Sequence, residues 1–246
     1  MLARFRPRAT IVVAALIAAC GGSDPFDGPA LENEPEPRPS AGSPVLPFFV
    51  KPFSGEYTLL NYFDHARPNA FADTNGYQLT WRGARAVVGV DVFGVDGHEG
   101  VDWLLPDGTP LFAVAAGEIL SAETVDVIGC PLQVTAPDMR VQIEHIAPNG
   151  ETYHTWYVHM SRIDVPVGHQ VAAGEQIGLS GSTGCLGPLP HLHLQTHLVS
   201  NTRRGSPTPV DPYGWEGPGP DPWALDPRGA ESIWLWQDGQ APSLVR

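Results

Sequence analysis

The sequence predicts a mostly β protein, a compact antiparallel β-sheet or sandwich with few short helices. Glycine and proline are frequent, at 27 and 26 of the 246 residues, and no long segment places its apolar residues at helical spacing. Short apolar runs instead alternate with tight-turn signals such as Pro106-Asp107-Gly108-Thr109. A chain of this length has room for one well-cored domain with appended segments.

The N-terminus is typical of an export signal. Arg4 opens a cationic stretch, and the apolar run from Ile11 to Ala19 is too short to span a bilayer. Ile17-Ala18-Ala19-Cys20 resembles a bacterial lipobox, so we expect residues 1–19 to be a lipoprotein signal peptide and Cys20 to be acylated. The alternative is an ordinary cleaved signal followed by an incidental cysteine. The expected location is the cell envelope, lipid-anchored to the outer membrane or the cell surface, with no other membrane contact.

Composition divides the rest of the chain into three parts. Residues 20–47 are rich in Pro, Glu, Asp, Ser and Gly and are predicted to be a disordered tether. Residues 48–200 hold the motifs and the predicted strands, and we expect them to form the folded domain. Residues 201–246 are rich in Trp, Pro and Gly and are expected to pack on that domain, with a sugar-stacking surface as the alternative for their tryptophans.

The charge balance excludes one class of partner. The formal net charge is −13 and the chain has one lysine, Lys51. No basic stripe is therefore present to neutralise nucleic-acid phosphates, and we do not expect the chain to bind nucleic acid. The chain is also expected to be a monomer.

Short strands are predicted in order through the middle of the chain. They comprise Pro110 to Val114, Glu118 to Val125, Met139 to Ile146, Glu151 to Met160 and the alternating segment around Leu192 to Leu198. Asn149-Gly150 is a strong hairpin signal, so the two strands that flank it should pair. Strict alternation predicts that His159 shares a face with Tyr153 and Tyr157.

Two segments together predict a metal site. His98 and Asp102 lie four residues apart in a glycine-rich segment, and His191 and His193 point to the same side of an extended strand. A hydrolytic zinc site uses three protein ligands and leaves the fourth position for water. His98, Asp102 and one histidine of the pair meet that count. The other histidine of the pair, or His159, remains for proton transfer.

Six motifs in this order resemble those of the lysostaphin-type and LytM-type zinc metallopeptidases of family M23, over about residues 97–198. They are His98-Glu99-Gly100-Val101-Asp102, Gly108-Thr109-Pro110, Tyr157-Val158-His159-Met160-Ser161, Val167-Gly168 with Gly174, Gly181-Ser182-Thr183-Gly184 and Pro190-His191-Leu192-His193. The resemblance implies the compact antiparallel β fold of that family and one Zn²⁺ per chain bound by His98, Asp102 and His193. It also implies that His159 and His191 assist catalysis.

The same resemblance implies a function. The chain is expected to be a zinc-dependent endopeptidase that hydrolyses peptide bonds in peptidoglycan cross-links or stem peptides. The alternative is a catalytically silent envelope module that binds peptidoglycan or regulates another hydrolase. One departure from the family pattern concerns the substrate groove, because Leu194-Gln195 follows His193 where the family commonly has Phe-Glu.

Other candidate residues have simpler interpretations. Glu99 follows a histidine as in the helical His-Glu-x-x-His zinc motif, but Gly97 and Gly100 disfavour a helix, so Glu99 is not predicted to be the general base. Five further histidines are interpreted as hydrogen-bonded structural residues: His65, His145, His154, His169 and His197.

Two cysteines remain if Cys20 is acylated. In an oxidising compartment Cys130 and Cys185 are predicted to form a disulfide. The alternatives are two free thiols or a thiolate zinc ligand at Cys185.

Overall fold

The computed structural model describes residues 45–68, 77–87, 96–126, 137–184, 189–199 and 207–244. All of them belong to the second of two compact units, Ala41–Arg246. Cys20, Cys130 and Cys185 lie outside the described residues, so the lipidation and the disulfide stay predictions. Nowhere in the described ranges is a helix both long enough and apolar enough to cross a bilayer.

Strands dominate the described part of the chain. The regular elements are β1 Leu59–Asn61, β2 Tyr77–Leu79, β3 Arg85–Val87, β4 Gly100–Trp103, β5 Pro110–Phe112, β6 Gly117–Val125, β7 Asp138–Ile146, β8 Thr152–Val158, β9 Met160–Ile163, β10 Gln170–Val171, β11 Gln176–Ser180, β12 Leu192–Leu198, β13 Thr208–Pro209 and α1 Pro222–Leu225. The helix α1 has four residues, and Asp221 caps its N-terminus. The predicted fold class, mostly β with few short helices, is confirmed.

Three antiparallel sheets organise these strands. The main sheet has eight strands in the spatial order β1, β4, β12, β8, β7, β6 and β10, with β13 paired to β12. The strands β5, β11 and β9 form a second sheet, and β2 and β3 form a two-stranded ribbon. Buried side chains of the second sheet, such as Leu111 and Ile177, belong to the same apolar cluster as Val141 and Leu194 of the main sheet. The second sheet therefore packs on one face of the main sheet and leaves the other face for the site.

The predicted hairpin is confirmed. Strands β7 and β8 pair antiparallel, with Ile143 opposite Thr155, and Gly150 adopts φ 86° in the turn between them. Positive φ at this position is accessible to glycine without a steric penalty. Tyr157 of β8 is fully buried, and its hydroxyl accepts a hydrogen bond from the Val114 amide at 2.8 Å. One face of the hairpin thereby packs in the apolar core, and its other face is left for the site.

The face predicted for His159 is wrong. Tyr153 and Tyr157 point into the core, whereas His159 lines a cavity on the opposite face together with Val158 and His193. His159 lies between the ends of β8 and β9 and adopts φ 64°, in the left-handed region. That conformation interrupts the alternation of the strand, so a period of two no longer predicts where the side chain points.

The C-terminal segment packs against the strands that precede the site. Trp236 is fully buried and forms an isolated bridge with Phe49. The Trp103 indole donates a hydrogen bond to the Ser243 carbonyl at 3.1 Å. Within the segment, the Tyr213 hydroxyl donates one to the Pro242 carbonyl at 2.7 Å. Burying aromatic side chains of this size contributes about 1.5–3 kcal/mol each.

A buried ion-pair cluster joins the segment before β2 to the segment after β13. His65 is completely buried, and its two ring nitrogens lie 3.0 Å from Asp221 Oδ1 and 3.1 Å from Asp211 Oδ2. Burial alone lowers the pKa of His65, but hydrogen bonds and charge from the two aspartates outweigh it and raise the pKa to about 9. The imidazolium form is therefore the one that the fold stabilises at neutral pH.

This cluster predicts a pH dependence of stability. The pKa of His65 is about 9 in the folded chain against 6.5 for an ordinary histidine, so its contribution is fully present below pH 6.5 and is lost as pH rises to about 9. At about 1.4 kcal/mol per pH unit, the loss amounts to about 3 kcal/mol of the free energy of unfolding. Urea unfolding at pH 6.5 and pH 9 measures it. The variant His65→Gln should be less stable at pH 6.5 and lack this fall; an equal fall in the variant would contradict the assignment.

Candidate metal centre

The sheet register brings two of the predicted ligands together. His193 on β12 lies directly opposite Asp102 on β4, and the loop before β4 supplies His98. Within the described ranges, these three residues form the one group of histidine, cysteine and acidic side chains that could hold a metal ion, with their ligand atoms within 4.8 Å of one another. The predicted ligand set thus converges at the edge of the apolar core.

The distances between the ligand atoms are short. His193 Nδ1 lies 2.7 Å from Asp102 Oδ1, and His98 Nε2 lies 3.2 Å from Asp102 Oδ2. His98 Nε2 and His193 Nδ1 are 3.0 Å apart. Two imidazole nitrogens and a carboxylate that face one another are a donor set suited to zinc. All three side chains are at least nine-tenths buried.

Two residues that the sequence analysis missed support the ligands. Asn61 of β1 pairs with Asp102, and its side-chain amide donates a 2.7 Å hydrogen bond to Asp102 Oδ2. The Tyr62 carbonyl lies 2.8 Å from His98 Nδ1. A carbonyl oxygen can only accept, so Nδ1 carries the proton and the lone pair of Nε2 faces Asp102 and His193. Such supporting contacts fix the orientation of metal ligands.

Replacing Asn61 by alanine is expected to weaken zinc binding by about 10–100-fold, since Asp102 Oδ2 then loses its buried donor. Competition against a chromophoric chelator measures the affinity. Asn149→Ala, in the turn of the β7–β8 hairpin, is the matched control and should keep wild-type affinity. Equal affinities in both variants would show that Asn61 does not position the carboxylate.

The electrostatics favour the metal-binding forms of Asp102 and His193 but the protonated form of His98. Burial raises the pKa of Asp102, but the His98 and His193 imidazoles more than offset this, so the pKa lies well below its ordinary value and the carboxylate is ionised. Burial lowers the pKa of His193 to about 4, which keeps its imidazole neutral. Burial opposes a charge on His98 also, yet Asp102 raises the pKa of His98 above its ordinary value. A proton on His98 Nε2 therefore competes with a metal ion for the same lone pair.

His159 lies beside the three ligands, held by its Nδ1 atom. That nitrogen is 2.8 Å from the Thr183 carbonyl and 3.1 Å from Asp138 Oδ1, so it carries the proton and donates. The ring centroid lies 5.9 Å from that of His193. Gly184 has φ 86°, and a Cβ there would lie 2.9 Å from Asp138 Oδ1 and 3.1 Å from His159 Nδ1, which explains the glycine. The remaining nitrogen, Nε2, is the one available for chemistry.

His191 has the same arrangement. Its Nδ1 donates to the Leu189 carbonyl at 2.8 Å, and its ring centroid lies 4.8 Å from that of His159. Its Nε2 is buried and has no hydrogen-bond partner among the described residues. Burial is the main reason that the pKa of His191 lies below its ordinary value. Two imidazoles with anchored Nδ1 atoms thus flank one wall of the site.

The other histidines differ in their partners. Four of the five interpreted as structural make side-chain hydrogen bonds, namely His65, His145, His154 and His169. The fifth, His197, has a buried Nε2 without a partner in the described part of the chain. Glu99 precedes a strand and not a helix, and burial raises its pKa.

The chain is similar in sequence to known peptidases. The profile of Peptidase family M23 matches residues 96–212. The chain is 35% identical over 120 residues to the glycyl-glycine endopeptidase ALE-1 of Staphylococcus capitis, covering 47% of this chain and 30% of that protein. It is 36% identical over 98 residues to the peptidoglycan DD-endopeptidase ShyA of Vibrio cholerae, covering 40% of this chain and 20% of that protein.

A protein of known structure is also similar in sequence to this chain. The catalytic domain of lysostaphin from Staphylococcus simulans is 34% identical and aligns with 43% of this chain and 72% of its own length, with a TM-score of 0.35. The match to the two curated relatives spans less than a third of either protein. What is shared is therefore one domain. Residues 96–212, which contain all five histidine and aspartate residues of the site, are a domain of peptidase family M23.

Proposed function

We propose that the chain is a zinc-dependent endopeptidase of the cell envelope that hydrolyses peptide bonds in peptidoglycan cross-links or stem peptides. The convergence of His98, Asp102 and His193 next to two anchored imidazoles is the observation that carries the proposal. Two relatives support the substrate class, since one is named a glycyl-glycine endopeptidase and another a peptidoglycan DD-endopeptidase. The export signal and lipid anchor predicted from residues 1–20 are part of the same proposal.

The residues that would hold the zinc ion are His98, Asp102 and His193, and their donor set fits it. When bound, zinc supplies a Lewis acid and lowers the pKa of water to about 7. Asn61 and Tyr62 hold the carboxylate and one imidazole in the orientation that this requires.

His159 and His191 are proposed to handle protons and developing charge. Each has its Nδ1–H fixed on a backbone carbonyl, so each presents Nε2 as a neutral acceptor or, once protonated, as a donor. A positioned imidazole of this kind typically contributes about 10²–10⁴-fold to a rate. Asp138 lies against His159 Nδ1 and stabilises the positive charge that a proton on Nε2 creates.

Metal removal tests the proposal directly. The purified chain is expected to contain about one zinc ion and to release new peptide ends from purified peptidoglycan, because the site offers one complete ligand set. Dialysis against a chelator should abolish the release, and added zinc should restore it. Elemental mass spectrometry measures the zinc content, and liquid chromatography measures the released peptides. Zinc without cleavage favours the silent binding module; no zinc in the untreated chain overturns the metal site.

A further inference from the structure

A groove continues from the metal centre along the open face of the main sheet. Its cavity of about 420 Å³ begins at His159 and His193. Farther on, it is lined by Arg140, Trp156, Gln195 and His197. We call these last four residues the Arg140 subsite. Three of them lie on β8 and β12, which also carry or adjoin the proposed catalytic residues.

The sheet register explains why these side chains share one face. His193, Gln195 and His197 are alternate residues of β12, so all three point the same way. Gln195 lies directly opposite Trp156 of β8. Arg140 belongs to β7, the neighbour of β8 on its other side. The subsite is thus a continuous patch across three neighbouring strands and does not depend on loops.

Arg140 is held in a defined position inside this groove. Its guanidinium lies 5.0 Å from the centroid of the Trp156 ring. Its Nε and Nη2 atoms donate to Glu123 Oε1 at 2.9 and 2.7 Å. Both contacts use one edge of the guanidinium, and a second pair of donors on Nη1 faces elsewhere. The chain has a net charge of −13, so a fixed cation in the groove is a local exception that favours a negatively charged group of a ligand.

The far end of the subsite has an unsatisfied polar atom. Nε2 of His197 is buried without a hydrogen-bond partner in the described ranges, and the side chain lines the cavity. An unpaired buried polar atom costs about 1–3 kcal/mol, which a ligand that reaches it recovers. His197 and Gln195 lie on β12, on one side of Trp156, and Arg140 lies on β7, on its other side, so polar groups flank the indole ring. A peptide with a polar branch matches this lining better than an apolar one.

We propose that the Arg140 subsite binds a carboxylate-bearing residue of the peptide substrate. Arg140 supplies a charge-assisted hydrogen bond, the Trp156 ring supports the adjoining backbone, and Gln195 and His197 bind peptide polar groups. Arg140 lies two strands from His193, and strands are about 4.8 Å apart, so the distance is about 10 Å. An extended peptide rises about 3.4 Å per residue, which places the carboxylate about three residues from the scissile bond.

This inference rests on the proposed function for the identity of the substrate, but it is tested by binding alone. The probes are an uncross-linked peptidoglycan stem peptide that carries isoglutamate and the same peptide with isoglutamine, which differ by one carboxylate. Calorimetric titration of the purified, zinc-loaded chain is expected to give about tenfold tighter binding of the isoglutamate peptide. Arg140→Gln should remove that preference, and Arg140→Lys should keep part of it.

A second variant changes the preference in the opposite direction. Glu123→Gln removes the negative charge that partly neutralises Arg140, so it should increase the preference for the isoglutamate peptide. Thermal unfolding of each variant checks that the fold is retained. Equal affinity for the two peptides, no measurable affinity for either, or a preference that survives Arg140→Gln would each overturn the subsite. Selective binding without cleavage of peptidoglycan would leave the subsite standing and remove the proposed activity instead.

Discussion

Replacement of His193 by alanine is expected to leave the chain folded but unable to retain zinc or to cleave peptidoglycan. His193 is one of three buried ligand residues, and its loss leaves His98 and Asp102 as an incomplete pair. Loss of a supporting group can weaken zinc binding by about 100-fold. Removal of a ligand should weaken it by more than this. Metal content after gel filtration and release of peptide ends are the measurements.

His169→Ala is the matched control for this experiment. His169 is partly exposed, pairs with Glu175 at 2.6 Å, and lies outside the site. The control should keep both zinc and activity. A His193→Ala chain that retains one zinc ion per molecule would show that the metal is held elsewhere.

The second large effect is expected from His159→Asn, which should lower kcat by about 10²–10⁴-fold while zinc stays bound. Asparagine is chosen because His159 has φ 64°, and asparagine tolerates the left-handed region better than alanine does. The variant therefore removes the imidazole without adding backbone strain. Steady-state kinetics on a defined peptide, with kcat and KM separated, and metal content together provide the readout.

His169→Asn serves as the control for this substitution and should leave kcat unchanged, since neither His169 nor its partner Glu175 lines the groove. If His159→Asn loses zinc in parallel with activity, His159 acts as a ligand or holds the ligands in place. If kcat is unaffected, the proton-transfer role passes to His191.

The parts of the site that the sequence predicts are those determined by local geometry. His98 and Asp102 lie four residues apart, and strand alternation puts His191 and His193 on the same side of their segment. The choice of His193 as the ligand came from the family resemblance, and its position opposite Asp102 depends on the long-range pairing of β12 with β4. The same period of two failed at His159, where one residue in the left-handed region reverses the side chain between two strands. A sequence pattern does not reveal such a conformation at a residue other than glycine.

Long-range pairing explains what the sequence did not predict. Asn61 and Asp102 are separated by 41 positions, and their contact exists because β1 pairs with β4. The only local signal is a polar residue that ends a short apolar run at Leu59 and Leu60. The same holds for His65, whose two carboxylate partners are 146 and 156 positions away.

Contacts between the C-terminal segment and the strands beside the site determine when the site can be completed. Trp103 adjoins Asp102, yet its indole N–H bonds to the Ser243 carbonyl, 140 positions later in the chain. The Tyr62 hydroxyl likewise bonds to the Leu244 carbonyl. During synthesis these acceptors emerge well after the metal ligands. We therefore expect the metal site to be completed late in folding, after the C-terminal segment has docked.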